Sequence, residues 1–311
     1  MTAEPPAPPV EPELPRGVAL AWGVAANPQR GPKREMSIER IVDAAVEIAD
    51  AEGLAAVSMS RVAQSLGYTT MSLYRYVTAK DDLLVLMQEQ GTGTPPEPDP
   101  ELDASDWRAR LRAIGHAQLE MHRQHPWLLD IPIQGTPVTP NNLAWMDAML
   151  DALSGAPLDE DERVATILMI TGQLRWQSTI EHAYEVAAGE AGIDPQAIDD
   201  GRSAILDAFV TAEEFPALRR AVDAGVFAHG EDPFAFGFER VLDGVADYIG
   251  RRADGARPGP PPREHEAPDV AADKRVRDAR KSVREAEKRL RDARKLERQA
   301  VRDARARHEG R

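Results

Sequence analysis

The chain has 311 residues, no cysteine and a formal net charge of −14. That length allows about two domains with a sizeable core, and the lack of thiols excludes a disulfide framework, a thiolate metal site and a cysteine nucleophile. No apolar run approaches a membrane span, and the start MTAEPPAPPVEPELP lacks the basic-then-apolar order of an export signal, so a cytoplasmic location is expected.

Residues 1–32 form a Pro-rich extension without helical periodicity, expected to be disordered. The segment ALAWG, with Leu20 and Trp22, interrupts that composition and offers either a docking point or an incidental apolar stretch. Arg30, Lys33 and Arg34 follow, a position from which basic residues either reach a DNA minor groove or stay solvated. Ser37 then caps a helix whose Ile38, Ile41, Val42, Ala45, Ile48 and Ala49 make one apolar stripe, which Gly53 ends. Its other face carries Glu39, Asp43, Glu47 and Asp50 and must point away from any polyanion.

Gly53 to Lys80 contains no Asp or Glu, although the whole chain has 52. It carries Arg61, Arg75 and Lys80 and is rich in hydroxyls, the composition a surface needs to meet phosphates. Ser58 caps one short helix with Val62, Ala63 and Leu66 inward, Gly67 makes a sharp turn, and Thr69 caps a second helix through Leu73, Tyr74 and Val77. Thr70, Met71, Ser72, Tyr74 and Arg75 face outward on that second helix, the arrangement of a helix-turn-helix. A further helix begins near Ala79, with Asp81 and Asp82 in its first turn.

The pattern Ser-x-x-x-Val-Ala-x-x-Leu-Gly-Tyr-x-x-x-x-Leu-Tyr-Arg-Tyr-Val-x-x-Lys-x-x-Leu-Leu, residues 58–84, resembles the DNA-binding domain of TetR-type repressors. The resemblance implies that Thr70, Met71, Ser72, Tyr74 and Arg75 meet base edges. It implies phosphate contacts for Ser58, Ser60, Thr69, Tyr76 and Lys80. Thr70 stands where many relatives have proline, which leaves the fold unaffected and the base preference open.

GTGTPPEPDPELDAS, residues 91–105, reads as a linker. Beyond it the sequence is helical. Helices are expected from Ser105 or Asp106 to about Gln124, from Thr139–Pro140 to about Leu153, and from Asp159 to about Ala187. A shorter pair follows over about 201–225, and a last body helix starts at Pro233. WRARLRAIGHAQLEMHRQHPWLL and NNLAWMDAMLDAL resemble the C-terminal domain of the tetracycline-repressor-like branch. That resemblance implies a homodimer joined by a four-helix interface from residues 160–187 and 233–250 of two subunits.

The middle domain concentrates Trp, Met and His. His116, Met121, Trp127, Trp145, Met149, Met169, Gln173 and Trp176 are candidates to line a pocket for a small, largely apolar or aromatic effector, with an ordinary helical core as the plainer reading. His122 with His125, and His182 with Glu185, stand three apart, yet there is no HExxH and no dense carboxylate cluster, so neither a metal nor another cofactor is expected. No nucleophile elbow, P-loop or dinucleotide fingerprint is present, so no enzymatic role is assigned.

Residues 253–269 are a second linker and 270–308 a charged helical tail. Residues 1–262 hold 21 Lys+Arg against 41 Asp+Glu, whereas 263–311 hold 17 against 11. RDAR recurs at 277, 291 and 302, and Val276, Ala279, Val283, Ala286, Leu290 and Ala293 form a thin heptad seam. The whole reads as all-α. A three-helix helix-turn-helix domain (33–90) precedes a helical ligand-binding and dimerisation domain (101–252), with a long charged C-terminal helix. The expected function is a repressor released from a palindromic double-stranded DNA operator by a small-molecule effector. The alternative is a structural DNA-organising protein in which the tail does the work and the middle domain only dimerises.

Overall fold

Why each helix begins and ends where it does is mostly visible in its first and last residues. In this computed structural model, residues 14–24, 36–133, 138–227, 233–256, 270 and 273–309 are described. Among them all regular structure is helical. Two units are distinguished, residues 1–256 and 257–311.

Helix α2 (Ile38–Glu52) starts at Ser37, whose hydroxyl accepts from Arg40 N–H at 3.3 Å, and stops at Gly53, φ 81°. Helix α3 (Met59–Ser65) is capped in the same way by Ser58, which accepts from Arg61 N–H at 3.2 Å. Gly67, φ 75°, turns the chain into α4 (Thr70–Leu73). A side chain with a Cβ would be strained at that angle. The second helix is shorter than the sequence pattern suggests: after Leu73 the backbone closes one more turn, Tyr76 N–H and Val77 N–H both donating to Leu73 C=O. Helix α5 (Lys80–Thr92) runs on past residue 90, so Gly91 is helical and buried rather than the first linker residue.

A second group of helices follows. Asp106 caps α6 (Trp107–Gln124), accepting from Ala109 N–H at 2.9 Å. A 3₁₀ turn (Pro126–Asp130) leads toward α7 (Pro140–Ala152), which has proline in its first turn. Glu162 reaches back to the Asp159 N–H at 2.9 Å and so opens the long α8 (Glu160–Ala191). The same carboxylate takes the Tyr248 hydroxyl at 2.8 Å and Arg252 Nε at 3.1 Å, both on α11 (Pro233–Ala253). Between them lie α9 (Pro195–Phe209) and α10 (Pro216–Asp223). Helix α12 (Lys274–Glu309) belongs to the second unit.

Two apolar cores result. One joins α2, α3, α4 and α5 through Ile41, Val62, Leu73, Val77, Leu83 and Met87, and it also takes in Trp127 and Leu128 from the 3₁₀ turn. The other joins α6, α7, α8 and α11 through Leu111, Met149, Leu153, Ile170, Leu174 and Leu242. Arg108 (2.7 Å) and Arg112 (2.7 Å) hold Glu239 across α6 and α11, and their hydrogen bonds lower its pKa to about 2.

The expectation of disorder throughout residues 1–32 is corrected at residues 14–24. Here α1 (Arg16–Ala21) lies against α5, with Val18 buried and Leu20 and Ala21 packed on the first core. Trp22 Nε1 donates to Val138 C=O at 2.8 Å, just ahead of α7. The segment therefore touches both α5 of the first core and the chain leading into α7. Its apolar residues are too few to show helical periodicity, and what orders them is surface supplied by α5. Deleting residues 1–24 is expected to destabilise the protein by about 2–3 kcal/mol, the scale of burying one or two aliphatic side chains. An unchanged urea-unfolding curve would show that α1 contributes nothing.

Candidate functional site

The outward face of α4 is free of carboxylates and open. Met71 is 75% exposed and Tyr74 41%, and Arg75 and Lys80 are exposed beside them. Thr70 and Ser72 are partly covered, and Ser72 Oγ lies 2.9 Å from Thr69 Oγ1. Ser58 and Ser60 meet at 3.1 Å at the start of α3. Arg61 is paired with Glu52 at 2.7 Å, so part of its charge is neutralised. Tyr76 differs from the other candidates in being a core residue, 9% exposed. Arg34 lies outside the described residues. Of the sequence candidates for DNA contact, the structure brings Thr69, Thr70, Met71, Ser72, Tyr74 and Arg75 together on and around one short helix.

Behind this face lies a junction that sequence reasoning did not find. Asp50, at the end of α2, accepts from Trp127 Nε1 at 2.6 Å through its Oδ1. His125 Nδ1 lies 2.8 Å from the same oxygen, so its hydrogen points there too. The Trp127 indole presses on α5 so closely that a Cβ on Gly91 would fall 2.9 Å from Cζ2. From the other side Arg175 of α8 donates to the carbonyls of Leu129 (2.9 Å) and Ile131 (3.2 Å), although burial lowers its pKa. The 3₁₀ turn is thus clamped between the DNA-reading helices and α8. A second link runs from α7. Trp145 Nε1 donates to the Thr92 (3.2 Å) and Gly93 (3.1 Å) carbonyls at the end of α5, and Asn141 N–H donates to the Glu89 carboxylate at 2.9 Å. Both satisfy groups that a helix terminus leaves without an internal partner.

These contacts change the standing of the pocket candidates. Trp127 and Trp145 have their indole N–H groups committed to joining the two halves. Met149 is in the second core and Met121 lies where the two cores meet. Gln173 is partly buried beside Gly237 of α11. His116 is exposed, as are Met169 and Trp176, the last at 59%. The eight residues do not face one common chamber. A cleft of about 380 Å³ instead runs between α8 and α11, lined by Thr166, Met169, Arg240, Val241, Gly244, Val245 and Tyr248, of which only Met169 was a candidate. A water-sized cavity lies between α6 and α8, beside His122, Ser178 and His182. His122 Nδ1 is 2.9 Å from Ser178 Oγ, and burial together with the Arg175 charge lowers its pKa to about 4. Among the described residues no group of three or more His, Asp and Glu is placed to hold a metal ion.

Comparison with known proteins decides the family. Residues 41–87 match the model of the tetR family of bacterial regulatory proteins, and residues 99–249 match the tetracyclin repressor-like C-terminal domain. The chain is 32% identical over 246 residues to the HTH-type transcriptional repressor DrrR1 of Streptomyces coeruleorubidus, an alignment covering 79% of this chain and 90% of the relative. The chain belongs to the TetR family of transcriptional regulators. ActR of Streptomyces coelicolor, solved without ligand, superposes with a TM-score of 0.58 at 23% identity, over 71% of this chain and all of ActR. ActR in complex with actinorhodin gives 0.58 at 25% identity, over 70% of this chain and 98% of ActR. Membership of the TetR family does not favour the reading as a DNA-organising protein. The tail beyond residue 249 lies outside both family models.

Two expectations follow for this TetR-family member. Asp50→Ala leaves the Trp127 N–H without its acceptor and is expected to cost about 1–3 kcal/mol of stability. It should also weaken communication between the halves, so that any effector that shifts DNA binding in the parent shifts it less in the variant. Equal stability and equal effector response would remove Asp50 from that role. His122 supplies a pH test. Its pKa falls from 6.5 in the unfolded chain to about 4 in the fold, so the unfolded state takes up the proton first as pH drops. The stability His122 contributes is complete above about pH 6.5 and is lost as pH falls towards about 4. Urea unfolding at pH 7.5, 5.5 and 4.5 should show a shallower dependence in His122→Gln than in the parent, and parallel profiles would contradict it.

Proposed function

We propose that this chain is a cytoplasmic homodimeric repressor without catalytic activity, released from a palindromic operator by a small, largely apolar or aromatic molecule. The observation that carries the reading is the connection of an acid-free, outward-facing α4 to α8 through the Asp50–Trp127–Arg175 junction. Residues 33–90 would read DNA, 101–252 would bind the effector and dimerise, and 253–269 would link them to the tail at 270–308. Thr70, Met71, Ser72, Tyr74 and Arg75 would enter the major groove, Ser58, Ser60, Thr69 and Lys80 would hold phosphates, and the arm at Arg34 would reach the minor groove.

A dimer through α8 and α11 would cover apolar side chains that stand exposed on those helices, Leu168, Met169, Trp176 and Phe236 among them. It would also cover the cleft between them. Two α4 helices one DNA turn apart, roughly 34–36 Å, would fit successive major grooves. An effector that binds a different spacing better shifts the population away from DNA, by no more than its difference in affinity for the two states. The actinorhodin complex of ActR supports a small-molecule effector here.

The test begins with operator selection from a random duplex pool by the full chain. Arg75→Ala and Tyr74→Ala should each reduce discrimination between selected and scrambled duplexes by about 1–3 kcal/mol while leaving the dimer intact in sedimentation. Tryptophan fluorescence titrations with a panel of aromatic compounds, with and without operator, then read the coupling, which must be reciprocal. Binders whose affinity operator leaves unchanged would show that the effector domain is no switch.

A further inference from the structure

Helix α12 holds 15 Lys+Arg and 7 Asp+Glu between Lys274 and Glu309, and among its described side chains nearly all are exposed. Its first three heptads are VRDARKS, VREAEKR and LRDARKL, residues 276–296. Aligned, they repeat position by position. The first is Val, Val, Leu and the fourth is always Ala, which makes the apolar seam. The third is always acidic: Asp278, Glu285 and Asp292. The second is always Arg and the sixth always Lys, giving Arg277, Lys281, Arg284, Lys288, Arg291 and Lys295.

Steps alternating four and three keep those six side chains within one narrow stripe of an α-helix, about 27 Å long. The stripe lies roughly opposite the seam, because second and sixth heptad positions are the outward ones. All six residues are exposed. Asp278, Glu285 and Asp292 line one border of the stripe, each three residues before a lysine, and Glu287 at the fifth position lies on the other side of it. Such exposed pairs are weak and yield readily to a stronger anion.

We propose that this stripe is a second, sequence-independent DNA contact. It would lay Arg and Lys along the phosphate backbone of the duplex while α4 reads bases. The proposal rests on the reading of the body as a DNA-bound regulator, which keeps the tethered tail close to duplex. Charge complementarity selects the occupant. Duplex DNA carries one negative charge per about 1.7 Å of axis, and six aligned cations match a rod of phosphates. An anionic membrane fits less well, because the apolar seam has only Val and Leu among alanines and no aromatic anchor. If two tails paired through the seam, the stripe would still face outward.

The experiment uses the full chain, a selected operator, and a 30-base-pair duplex without palindrome. A variant with all six stripe residues changed to Gln keeps the seam and good helix formers, and its helicity is checked by circular dichroism. On the non-palindromic duplex the slope of log affinity against log salt should fall by about 3 or more, out of about 5 that six phosphate contacts supply. Affinity near 0.1 M salt should drop at least tenfold, and the preference for operator over scrambled duplex should stay unchanged. The variant Asp278→Asn, Glu285→Gln, Asp292→Asn should bind the same duplex more tightly than the parent. A salt slope equal to the parent's, with helicity intact, overturns the proposal. So does loss of binding to phosphatidylglycerol vesicles with DNA affinity untouched, which would reassign the stripe to membranes. A parent that discriminates no sequence while the stripe still sets the slope would sink the repressor reading and leave this one standing.

Discussion

The hydrogen bond from the Trp127 indole to the Asp50 carboxylate holds the architecture in a single working arrangement. A carboxylate at the end of α2 and an indole from the turn after α6 meet at 2.6 Å, with His125 on the same oxygen. Because Trp127 is also part of the apolar core of the DNA-reading helices, that core is incomplete without the turn that follows α6. Glycine at position 91 follows from this. A larger residue would push the indole off α5 and break the fit on which the bond depends. Arg175 then fixes the far end of the same turn from α8, donating to the Leu129 and Ile131 carbonyls.

Charge is arranged with the same economy. The body is strongly acidic, yet its carboxylates leave the face of α4 bare. On α2 two exposed carboxylates make contacts to other elements, Asp43 accepting from Gln90 at 2.8 Å and Asp50 from Trp127. Screening limits distant acids to a reach of about 10 Å at ordinary salt, so the local pattern outweighs the total. The tail repeats the principle on one helix, where over residues 276–296 the second and sixth heptad positions are always basic and the third always acidic.

The effector side is more economical of aromatic residues than its composition suggests. Two of the three indoles that could have stacked on a guest tie α7 and the 3₁₀ turn to the reading helices, and the third, Trp176, lies on the outside of α8 among other exposed apolar groups. That outer face adjoins the cleft lined by Met169 and Tyr248. Leu168 and Phe236 lie on the same two helices and are equally uncovered.

Local features were legible in the sequence because they are local. Caps at Ser37, Ser58 and Asp106, the turn at Gly67, the proline at the start of α7 and the apolar stripes each depend on neighbours within a turn or two, and every one lies where its residues predict. The outward set on α4 was legible for the same reason, and so was the all-α class. Tyr76 and the short end of α4 were not, since burial there is set by the core of α2 and α5. Sequence could not say what Trp127 or Trp145 are for. An indole that stacks on a ligand and one that donates to a carboxylate 77 residues away have the same local surroundings. Nor could it predict that Arg16–Ala21 folds, because the surface that orders it belongs to α5. Periodicity reports which side of a helix is apolar; only the tertiary structure decides what that side touches.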